Sequence, residues 1–274
     1  MKVALIQMNS GSDKAANLEA AKALIEQAVA EERPDWVCLP EVFDFMGGSG
    51  EQKRAAAEVL PGGPAYTMLR GLAKKHGIFV HAGSILEKIE GEKRVGNTTV
   101  VFNREGGEIA RYRKIHMFDI TAPDGTQYNE SASMKPGDAV VTYDCEGVTV
   151  GCSICYDLRF PYLFQALADR GAQMIALPAA FTLQTGKDHW ETLIRARAIE
   201  NEVYFAASAQ TGSHQQGNET RSTWGHSMLV DPWGHVVARA SDGVGYVAGR
   251  VDPARVKKVR AMIPVANHRV RLNG

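Results

Sequence analysis

Two rhythms of apolar residues run along the chain, and the switches between them mark out its elements. Val3 to Met8 is mostly apolar and predicts a buried strand. From Asn17 to Glu31, Leu18, Ala21, Leu24, Ile25, Ala28 and Val29 recur at helical spacing. Pro34 closes that region, and Trp36 to Leu39 predicts a second short strand stopped by Pro40. A helix is expected over Pro64 to His76, opened by Gly62-Gly63 and its first-turn proline and stopped by Gly77. Ile78 to Ala82 and Asn97 to Phe102 predict strands, and the turn at 103–107 leads into another over Glu108 to Lys114.

The later half repeats the alternation. Val140 to Thr142 and Val148 to Ile154 predict a strand pair, Pro161 to Arg170 a helix, Met174 to Leu177 a strand, Asp188 to Asn201 a helix, and Val203 to Ser208 a strand. Ser227 to Val230, a turn over Asp231 to Gly234, Val236 to Ala240 and Val244 to Val251 follow, with a last helix after Pro253. Strands and helices interleaved with hairpins predict a layered α/β fold with mixed sheets. Val37-Cys-Leu-Pro-Glu-Val-Phe43 also echoes Ile175-Ala-Leu-Pro-Ala-Ala-Phe181. That echo suggests two halves whose strand ends share a cleft. No Pro/Gly/Ser linker interrupts the pattern, so one domain over residues 1–274 is expected.

Composition narrows the class. The formal net charge is zero and no long basic run occurs, which argues against capture of nucleic acid or an anionic membrane. Four cysteines without a framework fit a reducing compartment. The strand-like start has no signal-peptide core, and no apolar stretch is long enough to cross a bilayer, so the expected location is the cytoplasm.

The candidate chemistry lies in Val148-Thr-Val-Gly-Cys-Ser-Ile-Cys-Tyr-Asp-Leu-Arg-Phe-Pro161. A β-branched run ends on Cys155 just before a proline-initiated helix, which places a thiol on a sharp turn beside a helix N-terminus. Exposed N–H groups and the helix dipole are expected to favour the thiolate there, with the Tyr156 N–H as an oxyanion donor. The competing reading is a buried cysteine serving as core filler. Cys152 and Cys155 form a C-x-x-C, but no second ligand pair stands at zinc spacing, and residues three apart on a strand point to opposite faces. For a base, His116, His189 and His226 remain open beside Glu41, which follows a strand end in an apolar stretch. Lys114, flanked by Ile115, Met117 and Phe118, is either drawn inward to an anionic partner or one more basic surface residue.

Taken in order, Leu39-Pro-Glu41, Tyr112-Arg-Lys-Ile-His-Met-Phe-Asp119 and Gly151-Cys-Ser-Ile-Cys-Tyr-Asp-Leu-Arg-Phe160 resemble the Glu, Lys and Cys motifs of the nitrilase superfamily, the carbon–nitrogen hydrolases. Asn129-Glu130 with Pro136-Gly-Asp138 resembles the loop of that family's second glutamate. His189-Trp190, Arg195 to Asn201 and Trp224 to Gly234 resemble its amidase branch, and the likeness runs nearly end to end. The resemblance implies an αββα sandwich, two mixed sheets flanked by helices, pairing into a homodimer or higher homo-oligomer. It implies Cys155 as nucleophile, Glu41 as base, Lys114 and the Tyr156 N–H around the oxyanion, and Glu130 holding Lys114. No metal or organic cofactor is implied.

Tyr156-Asp157 stands where nitrile-hydrolysing members tend to carry Trp-Glu, which points to an amidase. Further motifs are similar to omega-amidases and deaminated glutathione amidases. The implied activity is cleavage of a small carboxylate-bearing amide to acid and ammonia through a thioester. Phe181, Thr182, His189 and Trp190 are expected at the pocket, with Arg159 pairing structurally with Asp157. The alternatives are an N-carbamoyl amidohydrolase and a catalytically silent binding partner.

Overall fold

A computed structural model describes residues 1–122, 125–216 and 219–270. In chain order its first half comprises β1 (Lys2–Gln7), α1 (Lys14–Glu32), β2 (Trp36–Cys38), α2 (Gly50–Ala56), α3 (Pro64–His76), β3 (Phe79–His81), β4 (Ile85–Lys88), β5 (Val95–Phe102), β6 (Glu108–Arg113), β7 (Asp119–Thr121) and β8 (Gln127–Asn129). The second half comprises β9 (Thr142–Cys145), β10 (Val148–Cys152), α4 (Pro161–Asp169), β11 (Met174–Ala179), α5 (Leu183–Asn201), β12 (Tyr204–Ala209), β13 (Thr211–Gln216), β14 (Glu219–Trp224), β15 (Met228–Val230), β16 (Val236–Arg239), β17 (Gly245–Arg250), α6 (Pro253–Met262) and α7 (Val265–His268).

Two large mixed sheets result. One runs β17-β1-β2-β3-β5-β4 with β6 on β5, and the other β16-β15-β12-β11-β10-β9. At their centres β1, β2 and β3 are parallel, as are β10, β11 and β12. The pleat then dictates the layers. Val3 and Leu5 of β1 share an apolar cluster with Val150, Ile175, Leu177 and Phe205 of the opposite sheet, whereas Ala4 and Ile6 pack with Ile25 of α1 and Leu69 of α3. Leu163 and Phe164 of α4 and Ile194 of α5 join the cluster from the far side. The order is helices, sheet, sheet, helices: the expected αββα sandwich. Each fully buried large aliphatic side chain contributes roughly 2 kcal/mol.

Polar contacts tie the sheets in register. Trp36 Nε1 donates to Tyr143 Oη at 2.9 Å, and Ser208 Oγ donates to the Cys38 carbonyl at 3.0 Å. Tyr112 Oη donates to Asp157 Oδ2 at 2.6 Å.

The main departures from the expected elements concern helix starts and polar segments. α5 begins at Leu183, not Asp188, because Thr182 caps it by accepting from the Thr185 N–H. α2, β4 and the hairpins β7–β8 and β13–β14 escape a reading by hydrophobic period. Asp119 and Thr121 are exposed in β7, and β14 carries Glu, Thr, Arg, Ser and Thr before its tryptophan.

Candidate active site

The parallel strands of both sheets end at one cavity of about 320 Å³. Glu41 and Val42 reach it from beyond β2, Cys155 and Tyr156 from beyond β10, and Ala180 and Phe181 from beyond β11. The echoed Leu-Pro segments thus do face one cleft, one per sheet, as open α/β sheets bring sites to their carboxyl strand ends.

Cys155 is the first residue of a 3-10 turn, Cys155–Arg159, and adopts φ 48°. A side-chain-bearing residue is strained there by about 1–3 kcal/mol, so the surroundings must hold it. Asp157, fully buried, does so: Oδ2 accepts the Ile154 N–H at 2.8 Å and Oδ1 accepts the His116 N–H at 3.1 Å. His116 Nδ1 lies 2.6 Å from the same oxygen, and the His116 ring stacks on Phe160 at 3.7 Å. At the start of the turn the Tyr156 N–H has no acceptor within the turn, which suits it to an anion in the cavity.

Lys114 lies just past β6, where its N–H donates to the Asn97 carbonyl at 2.9 Å and starts the side chain inward. Its ammonium meets Glu41 Oε1 at 3.0 Å and both Glu130 oxygens at 2.9 Å. Asn97 Nδ2 donates to the same Glu41 oxygen at 2.8 Å, and the Phe118 N–H donates to Glu130 Oε2 at 2.6 Å. With side-chain exposures of 2% for Lys114 and 6% for Glu41, this is a buried charge network in which losing one partner costs about 3–5 kcal/mol.

Two protonation states follow. Burial by itself would push the Lys114 ammonium down, but Glu130 and Glu41 outweigh it and hold the group charged, well above its ordinary range. Burial pushes the Cys155 thiol well up, the Glu41 carboxylate adds to this, and Lys114 only partly opposes it. The resting sulfur is therefore a thiol. Glu41 and Cys155 line the same cavity, where the carboxylate bears on the thiol through its charge. The expectation of a thiolate stabilised by a helix terminus fails, because desolvation and a neighbouring anion exceed what exposed N–H groups supply. This thiol needs a base at the moment of attack, and Glu41 lines the same cavity.

The four charged and nucleophilic residues expected together, Glu41, Lys114, Glu130 and Cys155, all line the cavity, as do Tyr156, Phe181 and Thr182. His189 and Trp190 do not. With α5 starting at Leu183, Trp190 turns into the core, its ring 5.1 Å from Phe181 and its Nε1 donating to the His226 carbonyl at 2.9 Å. His189 faces outward and meets Arg159 Nη2 at 3.3 Å. Arg159 does not pair with Asp157, whose oxygens are taken by Tyr112, Ile154 and His116; its guanidinium lies over the Phe181 ring at 5.4 Å. None of His116, His189 and His226 lines the cavity. Sequence reasoning missed Asn97, although a buried asparagine inside the apolar run of β5 is itself a signal of a polar partner.

Comparison with known proteins now bears on this geometry. A model of the carbon–nitrogen hydrolase family matches residues 2–261. The chain belongs to that family. It is 40% identical over 271 residues to a deaminated glutathione amidase of Synechocystis, covering 97% of each protein. Its fold matches the crystal structure of the Caenorhabditis elegans NitFhit protein with a TM-score of 0.90 at 40% identity, over 98% of this chain and 64% of that one. Saccharomyces cerevisiae Nit3, described as a member of the nitrilase superfamily, matches with a TM-score of 0.86 at 34% identity, over 97% and 94% of the two chains. This chain is thus a carbon–nitrogen hydrolase of the amidase type. Among the described residues no helix is long and apolar enough to cross a membrane.

Proposed function

We propose that the protein hydrolyses a small carboxylate-bearing amide of the 2-oxoglutaramate or deaminated glutathione type, with Cys155 as nucleophile. The observation that carries this is that a buried thiol shares one cavity with Glu41, whose carboxylate touches the Lys114 ammonium at 3.0 Å. Glu41 takes the thiol proton as the sulfur attacks the amide carbon. The oxyanion forms between Lys114 and the Tyr156 N–H, in a cavity where such donors act with little screening. Glu41 returns the proton to the departing nitrogen, leaving a thioester on Cys155. Water, deprotonated by Glu41, then attacks the thioester carbon; the C–S bond breaks, the sulfur takes the proton back from Glu41, and the acid leaves. Glu130 positions Lys114 throughout. A primary amide releases ammonia; the corresponding bond of deaminated glutathione is a peptide link, so an amine departs instead.

Names of relatives support this substrate class, several of them deaminated glutathione amidases. Pairing of two copies is part of the same reading, supported by the exposed apolar side chains Tyr162 and Ile199 on the outer helices. A cytoplasmic setting is supported by four free, buried cysteines, and a single functional domain by the apolar cluster that joins both sheets. The test is hydrolysis of 2-oxoglutaramate and deaminated glutathione, followed by ammonia and amine release, with Cys155→Ala alongside. Undiminished turnover by that variant would remove the sulfur from the reaction.

A further inference from the structure

Among the described residues five charged side chains line the cavity: Glu41, Glu130, Lys114, Lys53 and Arg221. The inner three are committed to one another through the Lys114 contacts and, with Cys155 as a thiol, sum to minus one. Alone they repel an anionic substrate. Lys53 on α2 and Arg221 on β14 add two positive charges at the cavity wall, and both belong to segments that the hydrophobic pattern did not reveal.

We infer that Lys53 and Arg221 together bind the carboxylate of the substrate, at the end of the cavity opposite the scissile amide. The inference rests on the amidase reading and names the feature by which the site selects its amides.

Three observations support it. The Arg221 guanidinium lies over the Tyr128 ring with its central carbon 4.5 Å from the centroid, so the ring braces at the cavity wall a group suited to binding a carboxylate. Lys53 is partly buried at the cavity wall, where desolvation lowers its ammonium pKa, Glu130 opposes this and Arg221, the smallest influence, lowers it further. Two cations on the wall of one void offer a carboxylate two charge-assisted donors. A further cation, Arg159, sits over the Phe181 and Tyr156 rings and does not line the cavity.

The experiment compares succinamate with butyramide, which carry the same scissile amide and differ in a carboxylate against a methyl group. In the wild type kcat/KM favours succinamate. Arg221→Gln and Lys53→Gln each reduce that preference by roughly tenfold to a hundredfold, mostly through KM, as expected for loss of a charge-assisted contact to bound substrate. The double variant removes it. Equal losses on both amides overturn the inference and leave the amidase reading intact. Glutarate binding to the Cys155→Ala protein, followed by calorimetry, gives a readout free of turnover. Binding weakened at least tenfold by either substitution supports the anchor, and unchanged binding overturns it. Failure to hydrolyse either amide sinks the amidase reading instead, and the glutarate titration still decides on the anchor.

Discussion

At the end of β2 the chain turns through Val42 at φ 44°, and beyond β10 it turns through Cys155 at φ 48°, so each sheet delivers one reacting group beside or on a left-handed residue. What holds the two turns differs. Around Glu41 the supports come from far along the chain: Ser84 Oγ accepts the Val42 N–H at 2.8 Å, Gln210 Nε2 donates to the Glu41 carbonyl at 3.0 Å, and Asn97 holds the carboxylate. Around Cys155 the principal support is Asp157, two residues on, itself clamped by Tyr112 and His116. A motif of a few residues therefore announces the thiol, whereas the carboxylate's setting depends on contacts from β5, the residue after β12 and the β3–β4 loop. The difference also separates two kinds of damage: removing a group, or letting it drift.

Removing the groups has the largest effect. Cys155→Ala and Glu41→Gln should each lower kcat by a thousandfold or more, the range for loss of a nucleophile or of its base. They part on a second measurement. The Glu41 charge raises the thiol, so Glu41→Gln should shift the pH profile of iodoacetamide labelling at Cys155 toward lower pH while hydrolysis is lost. A profile that stays put would detach Glu41 from the sulfur. In the wild type the labelling rate should keep climbing above pH 9, the ordinary thiol value, because the folded protein retains the proton there.

Lys114→Arg comes next. It keeps the charge but replaces a compact ammonium held by two carboxylates with a planar fork, and kcat should fall by roughly a hundredfold to a thousandfold. Steady-state rates near the wild type would mean that the oxyanion does not form at this position. Then come the supports. Gln210→Ala, at the remote-held turn, should cost about tenfold to a hundredfold in kcat, since small misplacements of a reacting group are expensive. The smallest effect is expected of Tyr112→Phe, which leaves Asp157 its Ile154 and His116 donors. Unfolding should show a loss of about 1 kcal/mol with kcat changed only a few-fold. If Tyr112→Phe outweighs Gln210→Ala in kcat, the contrast between local and remote support is wrong.

Much of the layering was legible in the pattern of residues. α3 spans Pro64–His76 as its proline start and glycine stop predict, and the strand and hairpin at 95–113 follow their alternation and turn residues. Thr182 as a helix cap was legible in principle, but the helical period is faint between Leu183 and Lys187, which hid the first turn of α5 and misplaced His189 and Trp190. Polar hairpins gave no hydrophobic signal at all, so Arg221 had no marker, and Lys53 looks like any solvated helix lysine.

The amino-acid order alone determined the alternating elements, the strand end that carries Cys155 and, through ordered motifs, the pairing of Glu41, Lys114 and Glu130 with it. These depend on neighbours a few residues away, where period, proline and glycine act. Only the tertiary structure decided that the sulfur rests as a thiol, that Arg159 turns onto Phe181 and that Lys53 and Arg221 share the cavity wall. Those outcomes depend on desolvation and on charges brought together from separate layers, quantities that exist only after the two sheets have closed on each other.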